Sequence, residues 1–180
     1  MLELTVCEKE LYDEDANEFL TVPERTIVLE HSLVSVSKWE AVWKKPFLQP
    51  NYKFTTEEFI DYIKCMTITQ HVPEEVFLYM NFNEIKRIER YINEDRTATT
   101  FSEILGSPNR QIVTSELIYY WMVAYQIPME CQKWHLSRLL ALIRICNIKN
   151  SEPKKMSRAD VIRQNKKLNE QRRKATGSRG

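Results

Sequence analysis

The sequence predicts a mainly α protein with a small N-terminal antiparallel β ribbon, that is, an α+β helical bundle followed by a basic helical extension. Three observations predict it. From Ser32 onward apolar residues recur at helical spacing, with capping signals at the segment starts. The first thirty residues alternate with period two instead. Near residue 149 the charge changes sign. The expected division is therefore 1–148, an α-rich globular domain carrying the ribbon, and 149–180, a basic hinge and helical C-terminal extension.

The strand candidates come first. Leu2 to Val6 alternates apolar and polar, Phe19 to Val22 does so more loosely, and Arg25 to Leu29 follows Pro23. The polar stretch Asp13 to Asn17 reads as the loop between them. A helix is expected over Ser32 to Trp43, where Leu33, Val36, Trp39 and Trp43 share a face and Pro46 forces a stop. Thr55-Thr56-Glu57-Glu58 is a capping box, since a Thr hydroxyl can satisfy an orphan amide while Glu58 reaches back. It opens a helix with Phe59, Ile60, Ile63 and Met66 on its apolar side. Pro73 followed by Glu74 and Glu75 starts a short helix. Another runs from Phe82 to Ile92, with Ile85, Ile88 and Ile92 in register.

Residues 93–113 are polar, contain Gly106 and Pro108, and read as a connecting loop with a short strand near Gln111 to Val113. Ser115 to Ala124 is apolar nearly all round, which predicts a helix buried on several sides. Beyond Pro128 a helix from about Met129 to Asn147 is expected at the centre of the core, with Trp134, Leu136, Leu139, Leu140, Leu142, Ile143 and Cys146. Trp121, Trp134 and His135 are assigned to the core. Ser151 to Met156 is a polar hinge, and Asp160 to Lys174, after the capping signal at Ser157, reads as a final helix.

Composition narrows the function classes. Hydrophobic residues make up 43% and charged residues 28%, the balance of a globular chain. Of three glycines, two are Gly177 and Gly180, which argues against a Gly-rich phosphate loop. Cys7, Cys65, Cys131 and Cys146 are scattered, unlike a secreted disulfide framework. The start of the chain has neither a basic nor an apolar leader segment, and no apolar run approaches the roughly 18 residues of a membrane span. A reducing cytoplasm is the expected compartment. From Lys149 to Gly180 there are eleven Lys/Arg against three acids, a net of +8; residues 1–148 hold fifteen against twenty-two, a net of −7. An acidic body with a basic tail points to electrostatic association, with another molecule or with the body itself.

No constellation spells out a reaction. Cys131 and His135 are four apart, half of a metal site, with no CxxC or second His pair to complete it. As a nucleophile and base they lack an orienting third group. The pairs Glu57-Glu58, Glu74-Glu75 and Glu94-Asp95 sit at helix starts or in polar stretches, where capping explains them. The reading is that of a protein with no enzymatic activity, cofactor or metal. Trp39 and Trp43, just ahead of Lys44 and Lys45, suit a core or an interface, and wherever exposed they are candidates for a hydrophobic contact. Arg158, Arg163, Lys166, Lys167, Arg172 and Arg173 of the final helix are the expected partner-binding residues. Their charge suits an acidic protein surface or a phosphate backbone.

Several strings carry a family resemblance: LEHSLVSVSKWE from Leu29, SELIYYWM from Ser115, ECQKWHL from Glu130, RICNIKN from Arg144, KKMS from Lys154 and NEQRR from Asn169. Together they resemble small proteins of tailed bacteriophages, the tail assembly chaperone-like family, over most of the chain. The resemblance implies a morphogenesis protein in the bacterial host cytoplasm during phage assembly. It would bind tape measure or tail tube subunits through protein–protein contacts, with no catalytic residues to carry over. The alternatives are a structural virion component, such as a head–tail connector or tail protein kept in the particle, and a phage nucleic-acid-binding regulator.

Overall fold

The computed structural model describes residues 1–13, 17–100, 112–150 and 158–176. It divides into two compact units, Met1–Cys146 and Asn147–Gly180. The first unit begins with four strands, β1 (Leu2–Val6), β2 (Lys9–Asp13), β3 (Glu18–Val22) and β4 (Arg25–Leu29), so the stretch after Val6, not assigned from sequence, is also extended. β1 pairs with β4 and β2 with β3, both antiparallel. Leu2 faces Leu29 and Asp13 faces Glu18, so the numbers of facing residues sum to 31 in both ribbons. They are two halves of one long hairpin, interrupted at Cys7-Glu8 opposite Pro23-Glu24. Pro23 brings no N–H to a ladder, which is one physical reason for a break there. The inward face changes parity at the break. Leu4, Val6, Ile27 and Leu29 are buried before it; beyond it Val22 is buried while Glu8, Glu10, Tyr12 and Phe19 are exposed.

The outer edge of β4 is covered by the chain leaving the second helix, which blunts it against unwanted pairing. Ile68 N–H donates to Val28 O at 2.9 Å, and Val28 N–H donates to Thr69 Oγ1 at 2.9 Å. Helices then follow: α1 (Leu33–Trp43), α2 (Thr56–Met66), α3 (Glu74–Leu78), α4 (Phe82–Ile92), α5 (Ser115–Ala124), α6 (Leu136–Asn150) and α7 (Arg158–Thr176). The mainly α architecture with a small N-terminal antiparallel sheet is thus the observed one. α1 stops because Lys44 turns left-handed at φ 55° and its N–H closes on Glu40 O. The capping boxes of α2 (Thr55 with Glu58) and α4 (Asn81 with Glu84) are both formed; each cap contributes about 1 kcal/mol.

Trp39 is fully buried at the centre of the core. Its ring packs edge-on against Phe47, Phe54 and Tyr52, and its indole N–H donates to Glu58 O at 2.9 Å, pinning α1 to α2. The core centre therefore lies on α1 and the inner half of the hairpin. Three sequence expectations change here. The helix expected from Met129 to Asn147 is a 3₁₀ turn over Met129–Lys133, a break at Trp134 and His135, and then α6. Trp134 is extended at ψ 158°, and His31 O takes the Leu136 N–H at 3.0 Å, so a tertiary bond replaces a helical one. α5 is buried only along Ser115, Ile118 and Met122, while Tyr120 and Val123 face out. Trp121 and Trp134 are half-buried at the core's margin; Trp134 stacks under Arg138 at 4.2 Å. His135 is buried as expected. Residues 101–111, with part of the expected strand, and the hinge at 151–156 lie outside the described residues; Ile112 and Val113 are not in a strand.

Candidate functional site

Between α2 and α4 the surface opens into a cleft of about 500 Å³. Phe47 and Tyr62 form its buried floor, Phe54, Phe59, Ile85 and Ile92 its half-buried walls, and Thr55, Thr56, Glu89 and Asn93 its exposed rim. The walls follow helical spacing: Ile85, Glu89 and Ile92 are four and three residues apart on α4, and Phe59 and Tyr62 three apart on α2. A volume between roughly 300 and 1,000 Å³ lined by aromatic and aliphatic groups is the form of a binding pocket. Two converging helical ridges suit the apolar edge of a third helix.

The rigidity of this cleft comes from the polar groups beneath it. Glu58 is buried below the rim: its Oε1 accepts from Lys45 Nζ and from Tyr52 O–H, both at 2.6 Å, and its Oε2 accepts from Thr55 N–H at 2.8 Å. Lys45 first, then Tyr52, then Thr55 hold its carboxyl at about 2, well below the usual range. Glu58 is therefore a fixed anion, tying the start of α2 to the loop after α1. On the other side of Tyr62 lies a buried cluster. His31 Nδ1 and Tyr62 Oη are 2.5 Å apart, and the His31 and His135 rings meet edge-on at 5.0 Å. His135 Nε2 lies 3.0 Å from Tyr91 O, and its Nδ1 lies 2.8 Å from Ser137 Oγ. Burial, with His135 beside it, pushes His31 down to about 3. Burial lowers His135 and raises Tyr62. Neutral rings at these positions are joints between β4, α2, α4 and α6.

The sequence candidates fall as follows. Cys131 lies in the 3₁₀ turn and His135 beyond its end, so they no longer share a helix face. Among the described residues no three His, Cys, Asp or Glu gather as metal ligands. Glu74 pairs with Lys64 at 2.6 Å and Glu94 with Arg96 at 2.8 Å, both ordinary surface pairs. Trp39 is unavailable to a partner, and Trp43 is half-buried against it with ring centroids 6.3 Å apart. In the second unit, Arg158 opens α7, and Arg163, Lys166, Lys167, Arg172 and Arg173 follow along it. Every described side chain from Ile162 to Arg173 is exposed.

Comparison with protein-family models, with curated proteins and with solved structures finds no match. The cleft therefore has to be read from its own chemistry. Sequence reasoning placed Phe59, Ile85 and Ile92 on apolar helix faces but did not see that those faces remain partly open. The usable signal was the aromatic density between Trp43 and Tyr62, which also holds Phe47, Tyr52, Phe54 and Phe59.

Proposed function

We propose that this chain is a bacteriophage morphogenesis protein, a tail assembly chaperone that holds a helical segment of a tape measure or tail tube subunit. The cleft between α2 and α4 carries the proposal: it is apolar, wide enough for the anchoring side chains of one helix face, and ridged at helical spacing. The resemblance of the strings quoted above supplies the class of client. The cations of α7, Arg163, Lys166, Lys167 and Arg173 among them, suit acidic stretches of such a client.

The test uses amphipathic peptides tiled along the tape measure protein, with fluorescence anisotropy as the readout. The expected result is saturable binding that Phe59→Asp and Ile92→Asp each weaken at least tenfold. Both side chains are half-buried against the core, so circular dichroism and the thermal midpoint of each variant are measured alongside and must be native for its binding to count. Equal binding by wild type and both variants would overturn the cleft's role. Stoichiometric retention of the chain in purified particles would favour a structural virion component. Tight, salt-sensitive binding of short DNA, lost when α7 is removed, would favour a nucleic-acid-binding regulator.

A further inference from the structure

The charge asymmetry of the chain is confined to its two ends. Residues 1–30 hold nine acids (Glu3, Glu8, Glu10, Asp13, Glu14, Asp15, Glu18, Glu24, Glu30) and two bases (Lys9, Arg25), a net of −7. Residues 149–180 carry +8. What lies between, residues 31–148, has thirteen bases and thirteen acids and is neutral. The acidity of the body is thus the acidity of the hairpin. Lys9 does not offset it on the outward face, because its Nζ is turned to Tyr79 O at 2.8 Å and Glu84 Oε2 at 3.2 Å.

The described side chains on the outer face of the β2–β3 half are exposed. Glu8 and Glu10 are exposed there, beside a cross-strand aromatic pair, Tyr12 and Phe19, with ring centroids 5.2 Å apart. Phe19 is 73% exposed, a large apolar cost for an isolated hairpin to leave in water. One face of α7 carries a matching set: Ile162 for apolar contact, with Lys166 and Arg173, four and eleven residues on, for charge, all exposed.

We infer that the outer face of the β2–β3 half binds the α7 helix of a second copy of this chain. Opposite charges of near-equal size drive the encounter, and the aromatic pair receives Ile162. Each copy carries one donor helix and one acceptor face, so two copies close the arrangement by exchanging helices reciprocally. This inference stands independently of the cleft.

Sedimentation velocity on the full chain tests it, at low salt and at about 0.5 M, where the screening length falls to roughly 4 Å. The expected species at low salt is a dimer, twice the 21.5 kDa chain mass, and at high salt a monomer. Glu8→Lys with Glu10→Lys should give monomer at low salt, as should Lys166→Glu with Arg173→Glu. All four substitutions in one chain should restore the dimer, because the swapped charges again attract. Four results overturn the inference: monomer at low salt up to about 100 µM, which means a Kd too weak to matter; a dimer indifferent to either pair; a low-salt monomer that α7 truncation alone expands, which marks docking within one chain; and failure of the fourfold variant to dimerise while its circular dichroism is native.

Discussion

Single buried polar residues set the tolerances of this fold. His31 is almost fully enclosed and has its pKa depressed to about 3 by burial and by His135. The native state then refuses a proton that the unfolded chain accepts below about 6.5, so stability is fully present above that value and is lost as pH falls toward 3. Each pH unit in that window removes about 1.4 kcal/mol on account of this group. Glu58 adds to acid sensitivity only lower, between 4.5 and about 2, where the unfolded chain takes up a proton that the native carboxylate refuses. Urea midpoints at pH 7.5, 6.5, 5.5 and 4.5 should therefore fall from 6.5 downward, and His31→Phe should flatten the slope above 4.5. An unaltered slope would remove His31 from the account. Glu40 is a second case. Its Oε1 accepts from Phe47 N–H and its Oε2 from Ser115 N–H, each at 2.8 Å, bridging α1, the following loop and the start of α5. Glu40→Ala strands two buried donors and should cost about 2–4 kcal/mol in urea unfolding. Glu40→Gln, which keeps one acceptor, should cost about half as much.

Elements with local signals were legible in the sequence, and those fixed by distant partners were not. Ser32 to Trp43, the Thr55 capping box, the Pro73 start and the Ile85-Ile88-Ile92 register all carry their information within a dozen residues, and all form helices there. The break at Trp134 and His135 depends on His31, some hundred residues away, whose carbonyl takes the Leu136 amide. No periodicity encodes that bond. α5 misled because an all-round apolar helix predicts burial on every side, yet Tyr120 and Val123 are left open. The cleft was invisible for a related reason: pattern gives the apolar face of α2 and of α4, while only tertiary geometry says how completely the two are covered. α7 was legible as a charged helix, and the fate of its side chains follows from its composition. With every described side chain from Ile162 to Arg173 exposed, it gains little from packing, and an isolated helix of this length is marginal in water. A chain ending at Asn150, compared at high salt, should therefore keep its thermal midpoint within about 2 °C. Its ellipticity at 222 nm should fall only by the share of α7, and a larger drop in midpoint would mean that α7 stabilises the first unit.

At the scale of the molecule, charge is segregated: an acidic arm, a neutral helical middle and a basic final helix. Such an arrangement couples association to ionic strength, because the ends attract across molecules while the middle contributes no net field. The constant register of the hairpin has a consequence in time as well as in space. Its widest pair, Leu2 with Leu29, closes over fewer than thirty residues, so the hairpin can zip on the microsecond scale once those residues are clear of the ribosome. Leu4, Val6, Ile27 and Leu29 then wait in the nascent chain as an apolar strip, and β4 as a bare edge, until α1, α2 and the Thr67–Thr69 stretch arrive to cover them. The interval between those events, about forty residues of synthesis or several seconds at ordinary elongation rates, is when this protein is most open to mispairing with its own newly made copies.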